Sequence, residues 1–334
     1  LHLLSRRQRQ MCIRDRSIVA AISALSLIVS MNIGIGSVFA GEQNTVPGTA
    51  EQPFVVTDGL FDQTKTESDL GLSKIEGAET VTVFTATDDT DHYCNGVVMT
   101  EFKGKLYTQW QSSAKDEDAE DTWVAYSVSD DNGATWSEPK VLVPTIDNGY
   151  CSSGGWFVSG DTLVSYINVW YSDTTPRGGF AYYVESTDGE HWSEMKPVLM
   201  KDGTPMEGII EQDPHVLASG RIVNAAHFQP GLFAYPIYTD DPSGTKGWVK
   251  AQYTCMEQGE GATTSREMEP SLFVNEDGTI VMTFRDQKSS FVRLAAISTD
   301  QGETWSETVS TNMPDCRATV SYTHLRAHET SLHL

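Results

Sequence analysis

The sequence predicts an all-β chain folded as a propeller, and three observations carry that reading. Tryptophans recur at Trp136, Trp192, Trp248 and Trp305, separated by 56, 56 and 57 residues. A turn glycine keeps nearly the same beat, at Gly104, Gly160, Gly220 and Gly278. After residue 50 no long stretch shows the 3.6-residue apolar period of a helix. A repeat of this length, with several short strands in each unit, is the pattern of propeller blades. One small twisted sheet cannot bury both of its faces, whereas sheets stacked around an axis bury each other's.

Taken in order, the chain opens on a segment that does not read as part of that fold. Residues 1–16 hold Arg6, Arg7, Arg9, Arg14 and Arg16 in an otherwise acidic chain, and the Met11–Ser17 stretch resembles translated sequencing adaptor. Residues 320–334 have the same look and interrupt a unit just after Arg317-Ala318. Both are set aside from fold reasoning, and on that reading the propeller is incomplete at its C-terminal side. Residues 17–40 join an apolar core, Ser17–Val29, to Val38-Phe39-Ala40 before Gly41. This is the pattern of a secretory signal peptide, which implies a secreted, periplasmic or cell-surface protein. A membrane anchor is the rival reading, weakened by Ser30, Asn32, Gly34 and Gly36. Residues 41–55 read as a flexible spacer, and 56–319 as the propeller.

Each repeat unit then shows the same parts. A run around the turn glycine (Val97–Trp110, Gly155–Ile167, His215–His227, Ser271–Arg285) is followed by a second apolar run (Trp123–Ser129, Phe180–Ser186, Leu232–Thr239, Val292–Ser298) that leads to the tryptophan. The fourth unit is the clearest, with two apolar runs flanking the hairpin turn Asn275-Glu276-Asp277-Gly278. At this period the chain holds between four and five blades.

The formal charge is −23. Setting the two ends aside removes six arginines and two acids from 23 basic and 46 acidic residues, which leaves −27. Such a surface excludes nucleic acid and anionic membrane as partners, and leaves local arginines to capture any anionic ligand. Membrane contact is expected only through an uncleaved signal segment. Cys94, Cys151, Cys255 and Cys316 lack the spacing of a zinc site. Cys94 and Cys151 stand almost one repeat apart, so a bridge across adjacent blades and free buried thiols are both open. No metal ligand loop is recognisable, and no cofactor is expected.

Two of the tryptophans close complete Ser-x-Asp-x-Gly-x-Thr-Trp motifs, Ser129–Trp136 and Ser298–Trp305; Ser186–Trp192 is one residue short, and Asp240–Trp248 keeps only an Asp, a Gly and the Trp. These are Asp-box (BNR) motifs, and over roughly residues 80–318 the chain resembles the sialidase (neuraminidase) superfamily of six-bladed propellers. The box residues themselves read as structural: their oxygens satisfy turn N–H groups and the tryptophan packs between strands.

The positions that would line the central funnel are found by counting from each turn glycine. Nine residues before it stand Asn95, Cys151, Glu211 and Glu269; seven after it stand Gln111, Ile167, His227 and Arg285. Carboxylates, an imidazole and a guanidinium at such places suggest a polar site, because ionisable groups are seldom buried without partners. The resemblance implies roles for some of them. Glu269, followed one hairpin later by Arg285, matches the superfamily's catalytic glutamate and one arginine of its carboxylate clamp. Asp118 in the acidic Ser112–Asp121 loop stands where the superfamily carries its acid, with Asp116 and Glu117 beside it. Glu211, His227 and His92 complete the expected substrate contacts. The superfamily's first arginine has no counterpart in Asp91–Gly96, and its third arginine and nucleophilic tyrosine would lie past residue 318. The implied activity is exo-α-sialidase hydrolysis of terminal sialic acids on glycans. A second reading is a histidine-dependent lyase or glycosidase on acidic polysaccharides, using His92, His215 or His227. A third is a non-catalytic glycan-binding propeller that stacks sugars on Trp110, Trp156, Trp170 and Tyr171.

Overall fold

A computed structural model describes residues 48–315 apart from 63, 66–70, 73–75, 88, 89 and 257. The segments 1–16, 17–40 and 320–334, with Cys316, lie outside the described residues. Among those described there is no helix, and every regular element belongs to one of four antiparallel sheets arranged as propeller blades. Blade one holds β1 (Tyr93–Phe102), β2 (Lys105–Ser113), β3 (Trp123–Ser129) and β4 (Lys140–Val143). Blade two holds β5 (Gly149–Ser159), β6 (Thr162–Tyr171), β7 (Phe180–Ser186) and β8 (Lys196–Pro197). In blade three the first strand is broken into β9 (Gly208–Ile209) and β10 (His215–Val216), both paired with β11 (Ile222–Phe228), and β12 (Phe233–Thr239) and β13 (Val249–Lys250) follow. Blade four holds β14 (Glu267–Val274), β15 (Ile280–Asp286), β16 (Val292–Ser298) and β17 (Val309–Pro314).

Neighbouring blades are joined by apolar layers, each containing a periodic tryptophan. Trp192 of blade two packs on Tyr126 of blade one, ring centroids 5.6 Å apart, in a layer with Tyr107, Trp156 and Ile167. Trp248 of blade three is fully buried among Phe157, Tyr166 and Ile222. Trp305 of blade four lies against the layer of Val223, Leu272 and Phe284. The tryptophan therefore wedges each blade onto the one before it. Truncating the fully buried Trp248 costs about 3–5 kcal/mol.

The turns before these tryptophans are held by short-range hydrogen bonds. Gly133 N–H donates to Ser129 Oγ (2.7 Å), and Thr135 gives its N–H (2.8 Å) and hydroxyl (2.6 Å) to Asp131. The Thr135 bonds hold the Asp131 carboxyl down at about 2. Ser298, Asp300, Gly302 and Thr304 repeat the arrangement. In blade two His191 takes the threonine's place, its Nδ1 2.7 Å from Asp188 Oδ2. Bonds of this exposed kind contribute about 0.5–1.5 kcal/mol each, so the turn sets the local shape and the tryptophan supplies most of the adhesion.

The segment before β1 packs against blades one and four. Phe54 meets Phe273 of β14 edge-on, centroids 6.3 Å apart. Val56 N–H donates to Asn312 Oδ1 (2.8 Å) and Asn312 Nδ2 donates back to Val56 O (2.7 Å). Phe84 stacks on Trp110 of β2 at 6.0 Å. Phe54, inside the stretch read as a spacer, is thus packed. Cys151 and Cys255 are free thiols, and no bridge joins Cys94 to Cys151.

Candidate active site

The register explains which side chains reach the funnel. Leu106, Leu163, Ile222 and Ile280 pair with the residues that open the four turns, Ser129, Ser186, Thr239 and Ser298. Five residues further along each second strand stand Gln111, Asn168, His227 and Arg285. The glycine count had placed Ile167 in this set. The offset arises because Gly160 is the first residue of its two-residue turn, between Ser159 and Thr162, whereas Gly104 is the second, between Phe102 and Lys105. A one-residue slip sends a strand side chain to the other face: Ile167 faces the apolar layer, and Asn168, on the opposite face, is buried against the Ile210 backbone.

The first strands are irregular at the same level. β1 shifts register between Asn95 and Val98, β5 between Ser153 and Trp156, and β14 between Met268 and Ser271. Such bulges re-aim side chains. In β1 the left-handed residue of the bulge is Gly96 (φ 64°); in β14 it is Glu269 (φ 47°). Opposite them, Asn95 pairs with Gln111 and Met268 with Arg285. The structural counterpart of Glu269 in blade one is therefore Gly96, one residue on from Asn95. A non-glycine left-handed residue costs about 1–2 kcal/mol, and here it turns a carboxylate toward Arg285, with Nε 3.0 Å from Glu269 Oε2. The contact is an ion pair whose N–H is not aligned as a hydrogen bond.

In blade three the break between β9 and β10 carries Glu211. Two buried asparagines fix it. Asn168 donates to Ile210 O (2.7 Å) and accepts Ile210 N–H (2.9 Å), and Asn224 donates to Gln212 O (2.9 Å). Glu211 Oε2 lies 3.1 Å from His227 Nδ1. Burial opposes ionisation of Glu211, but the charges of His227, Arg285 and Arg177 outweigh it and hold the carboxyl below its usual range. Two residues on, Asp213 meets the opposite fate. It accepts Trp156 N–H (2.6 Å) across the blade boundary, and burial pushes its carboxyl up to about 7. The blades approach closely here, since a Cβ on Gly155 would stand 2.6 Å from Gln212 O.

The acidic loop of blade one meets blade two. Tyr150 donates to Asp118 Oδ1 (2.7 Å), and Arg177 Nη2 contacts both Asp118 and Tyr150 Oη, the latter at 2.6 Å. Burial and the bond to Asp118 push the Tyr150 phenol up, so it stays a proton donor. Glu117 instead accepts from Tyr93 (3.2 Å) and Asn95 (3.0 Å). Side-chain exposure grades the site from rim to floor: Arg177 56% and Asp118 50%, then Glu211 30%, Glu269 19% and Arg285 14%, with His227 at 1%.

Of the residues singled out in the sequence, Glu269 and Arg285 meet, as do Glu211 and His227, and the charge of Arg285 reaches Glu211. Asp118 sits at the rim beside Arg177. His92 precedes β1 and is exposed, while His227 lies behind Glu211. Arg177, on the loop between β6 and β7, carried no sequence signal, because it follows no repeat position. Of the aromatic residues expected to stack on sugars, Trp110, Trp156 and Trp170 are buried, and Tyr171 is partly exposed and packs edge-on against Phe180. The tyrosine expected past residue 318 lies outside the described residues. Among the described residues no cluster of His, Cys, Asp or Glu could hold a metal.

The BNR repeat-like domain family matches residues 104–332, more than half of the sequence. The chain belongs to that family. This BNR-repeat propeller is similar in fold to solved structures at low identity. A protein of unknown function from Dyadobacter fermentans superposes with a TM-score of 0.56 at 13% identity, covering 70% of this chain and 72% of that one. A Hadza microbial sialidase, Hz136, gives 0.53 at 18%, covering 72% and 52%. The NanB sialidase from Streptococcus pneumoniae gives 0.53 at 15%, covering 74% and 57%. The chain thus spans a little over half of those two sialidase chains. No curated protein sequence matches it.

Proposed function

We propose that the protein is an exported glycoside hydrolase of the sialidase type that releases terminal sialic acid from glycans. The observation that carries the reading is Glu269, held in a left-handed conformation at the β14 bulge and 3.0 Å from Arg285. A strained carboxylate aimed at a guanidinium on a funnel wall is costly unless it is used. In this reading Arg285 binds the sugar carboxylate, Glu269 polarises a nucleophile, and Asp118 at the rim handles the leaving-group proton. A phenol or other neutral nucleophile suits an anionic sugar, because a carboxylate would be repelled. Two sialidases with a similar fold support the choice of substrate. His227, at 1% exposure, positions Glu211 and is too deep to act as a base on a polymer, which weighs against the histidine reading. The test is turnover of a fluorogenic α-sialoside by the full chain, with Glu269→Gln and Arg285→Ala. Activity that both substitutions abolish supports the proposal; activity that survives either one, or none in the protein completed past residue 318, overturns it.

A further inference from the structure

The acidic loop Ser112–Asp121 is folded tightly onto its own blade. Ser113 Oγ donates to Asp116 O (2.5 Å), Gln111 Nε2 to Glu117 O (3.3 Å) and Thr122 Oγ1 to Ala119 O (2.6 Å). Two of its acids are taken up within blade one: Glu117 by Tyr93 and Asn95, and Asp121 by Ala114 N–H (3.2 Å). Among the described residues Asp118 is the one acid of the loop whose side chain bonds to another blade.

Its partners converge on a single oxygen. Asp118 Oδ1 accepts the Tyr150 hydroxyl (2.7 Å) and Arg177 Nη2, and Nη2 also donates to Tyr150 Oη (2.6 Å). A carboxylate oxygen offers two lone pairs, so Oδ1 is filled. Oδ2 has no hydrogen-bond partner among the described residues, and the side chain is half exposed. The proton of the neutral acid therefore belongs on Oδ2, the oxygen left open to a ligand.

The two donors are themselves fixed. The Arg177 guanidinium lies over the Trp170 ring, 4.7 Å from the centroid, and Trp170 stacks on Tyr150 with centroids 6.0 Å apart and planes 10° from parallel. Trp170 is anchored in turn, its Nε1 donating to Ser152 Oγ (2.9 Å). The chain beyond Arg177 is wedged on blade three: a Cβ on Gly178 would stand 2.7 Å from Gln229 Cγ, and Gln229 Nε2 donates to Gly179 O (3.0 Å). An exposed aspartate is otherwise free to rotate; here blade two chooses its rotamer. A general acid must stand within hydrogen-bond reach of the leaving oxygen, and a small misplacement is costly.

We propose that Arg177 and Tyr150 are positioning residues that hold Asp118 with Oδ2 toward the glycosidic oxygen of the leaving group. This deepens the hydrolase reading and rests on it. In the step so defined, the Oδ2–H bond breaks as the proton passes to the glycosidic oxygen. The bond from that oxygen to the anomeric carbon breaks with its electron pair going to the oxygen, and the nucleophile's hydroxyl bonds to the carbon as Glu269 takes its proton. Asp118 is left as a carboxylate, and its new charge is met by the donors already in place.

Acid assistance matters for a poor leaving group and much less for a good one, so the leaving group is the probe. Hydrolysis of sialyllactose is compared with that of 4-methylumbelliferyl sialoside in the protein completed past residue 318. Arg177→Gln should lower kcat/KM on sialyllactose by about 10–10²-fold, and on the aryl sialoside by less than about threefold. Tyr150→Phe keeps the ring on Trp170 and should show the same selectivity with a smaller loss. Asp118→Asn should show it most strongly. Adding Arg177→Gln to Asp118→Asn should cost little more, because residues that act as a unit are not additive. Should Arg177→Gln melt below the parent protein, Tyr150→Phe carries the comparison. Equal losses on the two sialosides, or a fully additive double variant, overturn the assignment, and so does sialyllactose hydrolysis unchanged in both Arg177→Gln and Tyr150→Phe. The two readings fail distinguishably. Hydrolysis that Glu269→Gln abolishes, with equal losses on both sialosides in Arg177→Gln, defeats the positioning role alone; no hydrolysis of either sialoside by the completed protein defeats the hydrolase and the positioning role with it.

Discussion

In blade one the first strand bulges at Gly96, φ 64°, with Gln111 standing across from the residue before it; in blade four the bulge falls on Glu269, φ 47°, with Arg285 in the corresponding place. The backbone is the same device in both. Glycine adopts the left-handed conformation without a steric penalty, so blade one keeps the shape at no cost and presents neutral groups. Blade four accepts strain in order to present a carboxylate and a guanidinium. The difference teaches that the repeat supplies a scaffold of equivalent bulges, and that charge is placed on only some of them. Blade three adds a second lesson within two residues. Glu211, facing cations, is held ionised, whereas Asp213, with only a backbone N–H as its named partner, is pushed up to about 7. Charge survives on these strands where a cation meets it.

The largest expected effect comes from making blade four resemble blade one. Arg285→Gln should lower kcat/KM on an α-sialoside by about 10²–10⁴-fold, while Gln111→Ala should change it less than about tenfold. Similar losses from the two substitutions would mean that the bulges are functionally alike, and would break the comparison.

Stability should separate the blades in the other sense. A Cβ on Gly96 would stand 2.5 Å from Ser153 Oγ, so Gly96→Ala should lower unfolding stability by about 1–3 kcal/mol. Glu269→Gly relieves the left-handed strain and gives up an ion pair and some unfolded-state entropy; its net change should stay within about 1 kcal/mol. Urea midpoints measure both. A loss in Glu269→Gly as large as that in Gly96→Ala would show that the ion pair, rather than the backbone, holds β14 in place.

A further contrast is the pH dependence set by Asp213. Its folded value, about 7, lies above its ordinary value of 3.8. Between those two the folded protein binds the proton and the unfolded chain does not, so this group's contribution is greatest below 3.8, falls as pH rises, and levels off above 7. Asp213→Asn should therefore raise the urea midpoint at pH 8 and leave it nearly unchanged at pH 4. An unchanged midpoint at pH 8 would argue that Asp213 ionises as freely as an exposed carboxylate.

Much of the fold is legible in the sequence. Trp192, Trp248 and Trp305 announce the blade period because each one wedges a blade onto its predecessor, and a wedge must recur wherever the interface recurs. Glu269 and Arg285 were also legible, because both sit at repeat positions where an apolar residue would be the ordinary choice. The count failed at Ile167, where a glycine that is first instead of second in its turn shifts the register by one and hands the lining position to Asn168. It missed Arg177 altogether. That residue belongs to a connecting loop with no repeat to mark it, and its place depends on Trp170, Tyr150 and Asp118, which come from three other segments.

The sequence by itself determined the all-β class, the blade period, the turns that close each unit and the acidic surface, since all of these follow from local pattern and composition. Only the tertiary structure decided which carboxylates keep their charge, which tryptophans are buried and where Arg177 meets Asp118 and Tyr150. Those outcomes depend on how close groups from different blades come, and burial and Coulomb attraction act through space regardless of separation along the chain.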